Sequence, residues 1–393
     1  MYRRPIFSQL LSRVTEPRAF IQLLIGPRQV GKTTLVRQLE KASKQPFLYV
    51  SADQTDLQDR IWIETQWQRA RNLCQEKSSA ILVIDEVQKI SNWSEVIKSC
   101  WDEDSANGIP LKVLLLGSSP LLMKKGTTES LAGRFEAIYV THWSFQEMKD
   151  CFQFELEDFL FFGGYPGGVQ LKNDPQRWQH YIRESLIETT VSQDILSLTR
   201  VDKPALLKKL LFLSCDYAGQ VLSFTKMMGQ LQDAGNTTTL AHYLDLLTSA
   251  GLVTGLQKWS PKKVITRSSS PKLIALNPAL ISAMLTRSQN DFIENTEFRG
   301  RLVENLVGAH LWNSSLGSGM NLYYWNEGNE EVDYILTRGN KVLAIEVKSG
   351  KRQTRVPALR KLCNEFSNIK PLIVGTGGVP LEEFLLSKPL NWF

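Results

Sequence analysis

The sequence predicts an α/β chain: a parallel sheet flanked by helices in the first third, a helical connector, and a second α/β unit at the far end. Three observations carry this. Short apolar runs at 20–25, 47–50, 80–84, 112–116 and 136–140 alternate with helical segments, and apolar strands separated by helices build parallel sheets covered on both faces. Between residues 203 and 259 the order becomes helix, helix, helix, strand. From about residue 292 the α/β character returns, with two strands of period two, 331–338 and 341–348, flanking Gly339-Asn340, a pair suited to a two-residue hairpin turn. With 393 residues the chain is long enough for two or three units, and breaks in pattern set them at 1–165, 166–285 and 286–393.

Within the first unit, the run 20–25 is followed by Gly26, Pro27, Arg28, Gln29, Val30, Gly31, Lys32, Thr33 and Thr34 and then by a helix. This fits G-x-x-x-x-G-K-[ST] without substitution, and between a strand and a helix it aims successive backbone N–H groups at a phosphate chain. Lys32 is expected to reach the β- and γ-phosphates of ATP and Thr33 to ligate Mg²⁺. The strand 80–84 runs into Asp85 and Glu86; Asp85 would hold Mg²⁺ through water and Glu86 would orient and deprotonate the attacking water. A third apolar strand ends in Gly117-Ser118-Ser119, so Ser118 is a candidate to sense the γ-phosphate, with a simple turn as the plain alternative. Sixteen positions beyond Ser118, Arg134 offers a cation for the transition state, from its own subunit or a neighbour's, or else a surface salt bridge.

The region 159–168, with Gly163-Gly164-Tyr165-Pro166-Gly167-Gly168, is dense in backbone breakers and closes the first unit. The connector has the order of a winged helix: 204–215, 224–231, 237–249 and then strand 252–259. Thr237-Thr238-Thr239 is expected to cap the third helix and Gly251 to end it. Such modules often read DNA through that helix. Lys258, Lys262, Lys263, Arg267 and Lys272 crowd the wing, as a DNA-facing surface or a solvated loop.

Closing the hairpin pairs Arg338 with Lys341, which sets Asp333 opposite Glu346 and Glu331 opposite Lys348. Asp333, Glu346 and Lys348 then share one face. Opposed carboxylates repel unless a cation or a proton intervenes. Two acids holding Mg²⁺ beside a lysine suit metal-dependent phosphodiester cleavage; the alternative is a charge cluster in which Lys348 neutralises the acids. Gly300, Glu304 and Gly308 lie on one helical stripe, placing Glu304 where backbones come close. Lys351, Arg352, Arg355, Arg360 and Lys361 would line a phosphate backbone or solvate a helix.

Composition excludes some classes. The balance of 46 Lys+Arg against 40 Asp+Glu, net +6, permits a polyanionic partner without requiring one. Cys74, Cys100, Cys151, Cys215 and Cys363, like His142, His180, His242 and His310, are too scattered for a zinc site or a disulfide framework. No apolar run approaches a membrane span and residues 1–5 lead into no signal-like apolar stretch, so a soluble, cytoplasmic protein is expected.

Together GPRQVGKTT, LVIDEVQ, LLLGSS, SLAGR and FGGYP resemble the prokaryotic AAA-type ATPases that carry a C-terminal domain of unknown function, and Gly300 to Asn305 and Glu346-Val347-Lys348 extend the resemblance over nearly the whole chain. It implies an ATPase. In the related STAND-type ATPases a Gly-x-Pro motif touches the nucleotide; Gly164-Tyr165-Pro166 matches, which implies nucleotide contacts by Tyr165 and Pro166. Asn277 departs from the family, where an acid is commoner, which weakens any role the resemblance implies there. Asp333 followed by Glu346-x-Lys348 resembles the PD-(D/E)xK nuclease superfamily, which implies an α/β nuclease-like third unit with Glu304, Asp333 and Glu346 as metal ligands. The resulting expectation is an ATP-binding, Mg²⁺-dependent ATPase acting on or near DNA. The alternatives are a nucleotide-switched binding protein with a dead nuclease fold, serving DNA or a protein client, and an ATP-regulated nuclease. Arg134 acting in trans would require a homo-oligomer.

Overall fold

The computed structural model describes residues 2–54, 60–76, 79–117, 130–196, 200–231, 235–260, 269–285, 295–350 and 356–393. The chain divides into two compact units between Val140 and Thr141. The helices Phe145–Phe152 and Leu156–Phe162 and the glycine-rich turn after them therefore fall in the second unit.

The first unit is a five-stranded parallel sheet: β1 (Ile21–Ile25), β2 (Phe47–Ser51), β3 (Ala80–Asp85), β4 (Leu111–Gly117) and β5 (Phe135–Tyr139), in the order β2-β3-β4-β1-β5. Their apolar residues alternate between two cores. Ile21, Leu23, Leu82, Ile84, Val113 and Leu115 join one, with Trp67, Trp93 and Trp101; Leu24, Ile81, Val83, Leu114 and Leu116 join the other, with Leu35, Val36 and Leu39 of the helix Lys32–Ala42. The central strands β1, β3 and β4 are buried on both faces, so their runs read as largely continuous and apolar rather than alternating.

In the second unit, helices Pro204–Asp216, Phe224–Gln230 and Thr237–Ser249 precede a two-stranded antiparallel sheet of β6 (Val253–Leu256) and β7 (Lys272–Ala275). Asn236 caps the third helix, its side chain accepting from the N–H of Thr239, in place of the expected threonines. Gly251 follows that helix at φ 74°, the left-handed conformation that ends helices. The final sheet is mixed, in the order β11-β10-β9-β8, from β8 (Asn321–Glu327), β9 (Glu330–Arg338), β10 (Lys341–Lys348) and β11 (Ile369–Gly375). Helix Pro357–Glu365 makes the crossover between the parallel strands β10 and β11 and packs Ala358, Leu359 and Leu362 on one face. The long helix Thr296–Ser315 lies on the sheet as well. An added Cβ at Gly308 would come within 2.5 Å of Tyr334 Oη on β9, so only glycine allows this approach.

The connector and the final sheet are joined by backbone. Buried Asn305, on the long helix, accepts from Ala275 N–H and donates to Ala275 O, at 2.9 and 3.0 Å. Trp259 N–H donates to Tyr324 O on β8, and Tyr324 N–H donates to Gln257 O, at 2.7 and 3.2 Å. Among the described residues no helix is long and apolar enough to cross a membrane.

Candidate functional site

The strand ends bring the residues expected to bind nucleotide to one edge. Parallel registry sets Gly117 of β4 beside Ile25 of β1, and Ile84 of β3 beside Leu115 of β4. The loop after β1 and the acids after β3 thus emerge at the carboxyl edge, where open α/β sheets bind ligands. Ser118, one residue beyond β4, lies outside the described residues.

Gly26 to Thr34 form the tight turn into the helix Lys32–Ala42. Glycine is required at 26, because a Cβ there would stand 2.0 Å from the Val140 carbonyl oxygen. Gln29 and Gly31 adopt positive φ, 58° and 92°, which reverses the chain. Arg4 braces the turn from outside by donating to Val30 O at 2.8 Å. Lys32 is buried, its Nζ donating to the carbonyls of Gly26 and Pro27 at 2.8 and 2.7 Å, so the ammonium lies along the inside of the loop.

Thr33 Oγ1 donates to Asp85 Oδ2 at 3.1 Å, tying the loop to the acid strand. Tyr49 on β2 donates to the same oxygen at 2.5 Å, and the Glu86 N–H caps Oδ1 at 2.9 Å. Burial, then the bond to Asp85, raises the Tyr49 phenol, which stays a donor. Glu86 has φ 52°, a left-handed conformation costing a non-glycine residue on the order of 1 kcal/mol or more, and such strain gathers at functional sites. Gln88 Nε2 donates to Glu86 Oε2, fixing the carboxylate. Sequence reading missed Tyr49 and Gln88. Gln88 carried the readable signal, lying two residues beyond the paired acids.

Arg134 is placed elsewhere. Its carbonyl accepts from Ile21 N–H, at the opposite end of β1 from Gly26. Five residues at about 3.3 Å each separate the two edges by roughly 16 Å. The guanidinium makes a two-pronged pair with Asp102, at 2.7 and 3.0 Å. The expected alternative of a finger acting within its own subunit is corrected by this register.

In the second unit, Tyr165 is buried and meets the His142 ring edge-on at 5.3 Å, followed by Pro166 at the start of a 3₁₀ turn. Asn277 organises this loop. Its Oδ1 accepts from the N–H groups of Gly164 and Ala279, at 3.0 and 3.2 Å, and its Nδ2 lies 3.2 Å from His142 Nδ1. His142 Nε2 lies 2.8 Å from Gly251 O. The assignment satisfying all four contacts has Nε2 protonated and Nδ1 accepting.

The hairpin has the expected register from Lys341↔Arg338 to Ile345↔Tyr334. There the ladder stops, and Asp333 Oδ2 accepts from Val347 N–H at 2.7 Å. Glu331 turns away from Lys348 and toward Lys272. Lys272, expected in a basic wing, is fully buried on β7; its Nζ lies 2.6, 3.0 and 3.5 Å from oxygens of Glu304, Glu331 and Asp333. These three acids, among the described residues, are the group close enough to share one cation. Among the described residues, Lys348 pairs with Glu346, at 2.5 Å. Burial, and next the charge of Asp333, raises the Glu346 carboxyl; burial raises Glu304 to about 7 against the pull of Lys272. For Lys272 burial works downward, yet Glu304 and Asp333 outweigh it and hold the ammonium well above its ordinary value.

Comparison with known proteins agrees with the first unit's geometry. Residues 18–149 match a family described as an AAA domain, while 153–291 and 299–383 match two domains of unknown function, DUF8612 and DUF4143. The chain is 25% identical over 381 residues to an uncharacterised protein of Mycobacterium tuberculosis, covering 95% of this chain and 81% of that one. An uncharacterised Methanocaldococcus jannaschii protein is 22% identical over 369 residues, covering 88% and 79%. The fold is similar to a Walker-type ATPase of Pyrococcus abyssi, with TM-score 0.50 and 13% identity, over 72% of this chain and 95% of that one. The sheet order, the loop and the family match together give the first unit the fold of an AAA-type P-loop ATPase domain.

Proposed function

We propose that the first unit binds ATP with Mg²⁺ and hydrolyses it. The observation that carries this is the Thr33–Asp85 hydrogen bond, which sets a hydroxyl and a carboxylate oxygen together beside the phosphate loop. Oxygen donors of this kind suit Mg²⁺. The ion, when bound, neutralises charge on the β- and γ-phosphates. Lys32 supplies the loop's own cation, and the backbone N–H groups from Arg28 to Thr34 supply dipoles. Tyr49 orients Asp85, and Gln88 holds Glu86 where it can orient water and take its proton. Arg134 serves as the partner of Asp102 rather than as a finger.

Calorimetry with MgATP tests the binding half. Lys32→Ala should weaken affinity by at least about tenfold, roughly 1.4 kcal/mol; unchanged affinity would refute the assignment.

For the second unit we read β8 to β11 as a nuclease-like sheet, supported by the hairpin register and by the acids and lysine at its end. A DNA partner draws little support from the described residues. The helix Thr237–Ser249 exposes Thr237, Thr238, His242 and Asp245 and contains no Lys or Arg. Lys272 is buried among acids, Lys361 pairs with Glu327 and Glu330, and Lys262, Lys263, Arg267, Lys351, Arg352 and Arg355 lie outside the described residues. A binding module for a protein client is the alternative reading. ATP turnover unchanged by duplex or single-stranded DNA is its expected signature.

A further inference from the structure

The acids of the second unit surround a lysine rather than an open space. Nζ of Lys272 is within hydrogen-bonding distance of Glu304 and Glu331 and 3.5 Å from Asp333, with the Tyr334 ring centroid at 5.0 Å. A divalent ion binds carboxylate oxygens at about 2.0–2.6 Å. An ion shared by these oxygens would stand against the ammonium, and two like charges at such a separation in a buried site repel strongly.

The lysine is held from the backbone on both sides. β7 pairs with β6 along one edge. On its other edge Gly219 and Leu222 N–H donate to Leu273 O and Pro271 O, and Leu273 N–H donates to Gln220 O. Asn305 clamps Ala275 through both its N–H and its carbonyl. Lys272 cannot withdraw while these elements stay folded.

We propose that Lys272 is a tethered cation standing in the metal position, so that the Glu304–Glu331–Asp333 cluster excludes divalent ions in the native chain and becomes a divalent-cation site when that ammonium is removed. The chemistry follows from the donor set. Three carboxylates within 4.8 Å of one another that have lost their ammonium hold a proton between them until a divalent ion displaces it, and their oxygens are hard donors suited to Mg²⁺ or Mn²⁺. The lysine also gives the connector a charged foothold among the acids of the long helix and β9. This inference rests on the acid-bearing sheet of the second unit and is independent of ATP turnover in the first.

The test uses the full chain carrying Asp85→Asn, which removes the first unit's acid ligand, titrated with Mn²⁺ alone and read by the loss of free-Mn²⁺ electron paramagnetic resonance signal. With Lys272 present, no ion should bind at the cluster up to millimolar Mn²⁺. Lys272→Met, which keeps the volume of the stem, should bind one ion at least about tenfold more tightly, and adding Asp333→Asn should abolish it. Lys272→Ala, prepared with Mn²⁺ throughout, is the second variant. Melting of the chain with Lys272 intact supplies a reading that requires no substitution there: it should be indifferent to Mn²⁺ and to chelator. Binding to the Lys272 chain that Asp333→Asn removes would overturn the proposal, as would folded Lys272 variants that take up no ion, or a melting temperature raised by Mn²⁺ through Asp333.

Discussion

Removing the Asn277 side chain tests whether that residue organises the glycine-rich loop. Asn277→Ala deletes the acceptor of Gly164 N–H and Ala279 N–H and the partner of His142 Nδ1, all at a site where Asn277 is 1% exposed. Ala279 lies in the first turn of the helix Pro278–Met284, so that share is a lost N-cap, about 1 kcal/mol. The buried Gly164 N–H left without a partner adds about 1–3 kcal/mol. The sum, about 2–4 kcal/mol, corresponds to a fall in melting temperature of roughly 5–15 °C for a unit of this size. Scanning calorimetry of the full chain measures it, and a shift below about 1 °C would refute the reasoning. Asn277→Asp provides the informative contrast. A carboxylate keeps both acceptor roles but has no donor for His142 Nδ1, so the imidazole must bring a second proton. That pairing raises the histidine's folded value above its unfolded one. The variant's stability is therefore fully present at acid pH and is lost as pH rises through the folded value. A variant equally stable across that range would show that His142 does not receive the Asn277 hydrogen bond.

Three further substitutions give expected outcomes elsewhere. Gly308→Ala puts a methyl group into Tyr334, whose hydroxyl donates to Glu304 O at 2.7 Å, and should cost about 1–3 kcal/mol by urea unfolding; an unchanged midpoint would refute the close approach. Burial lowers the His310 imidazole to about 4 from 6.5, so its contribution is present above pH 6.5 and lost as pH falls toward 4. His310→Phe should flatten that acid limb in denaturant titrations, and an identical pH dependence would remove His310 from the account. Arg134→Ala should leave phosphate release within roughly twofold, where a finger would cost 10³–10⁵; a loss of that size would restore the finger.

What could be read from the chain followed from local regularity. The five strands of the first sheet stood out because their runs are largely apolar and the central ones, β1, β3 and β4, are buried on both faces. The phosphate loop needed only its spacing between a strand and a helix. The hairpin register followed from Gly339-Asn340 and period two, as far as Ile345↔Tyr334; it failed at the next pair because Asp333 gave its carboxylate to a backbone N–H. Properties set by strand order were not legible. Arg134 looked placed for catalysis until β5 was seen to run beside β1, which puts it at the far edge. Tyr49 reaches Asp85 because β2 neighbours β3. Lys272 sat among basic residues and read as one more charge of a DNA-facing or solvated wing, though its followers Leu273, Ile274 and Ala275 mark a buried strand. Asn277 had a local signal, an asparagine directly before Pro278, which is an N-cap followed by proline at the first helical position.

The central claim, that Glu86 drives turnover at a site where Lys32, Thr33 and Asp85 bind the nucleotide, is tested most directly by single-turnover phosphate release from Glu86→Gln with MgATP. ATP affinity by calorimetry should stay at the level of the unaltered chain, while the release rate should fall by about 10²–10⁴, the share that a general base contributes. Phosphate release at the unaltered rate by a Glu86→Gln chain that still binds ATP would contradict the account.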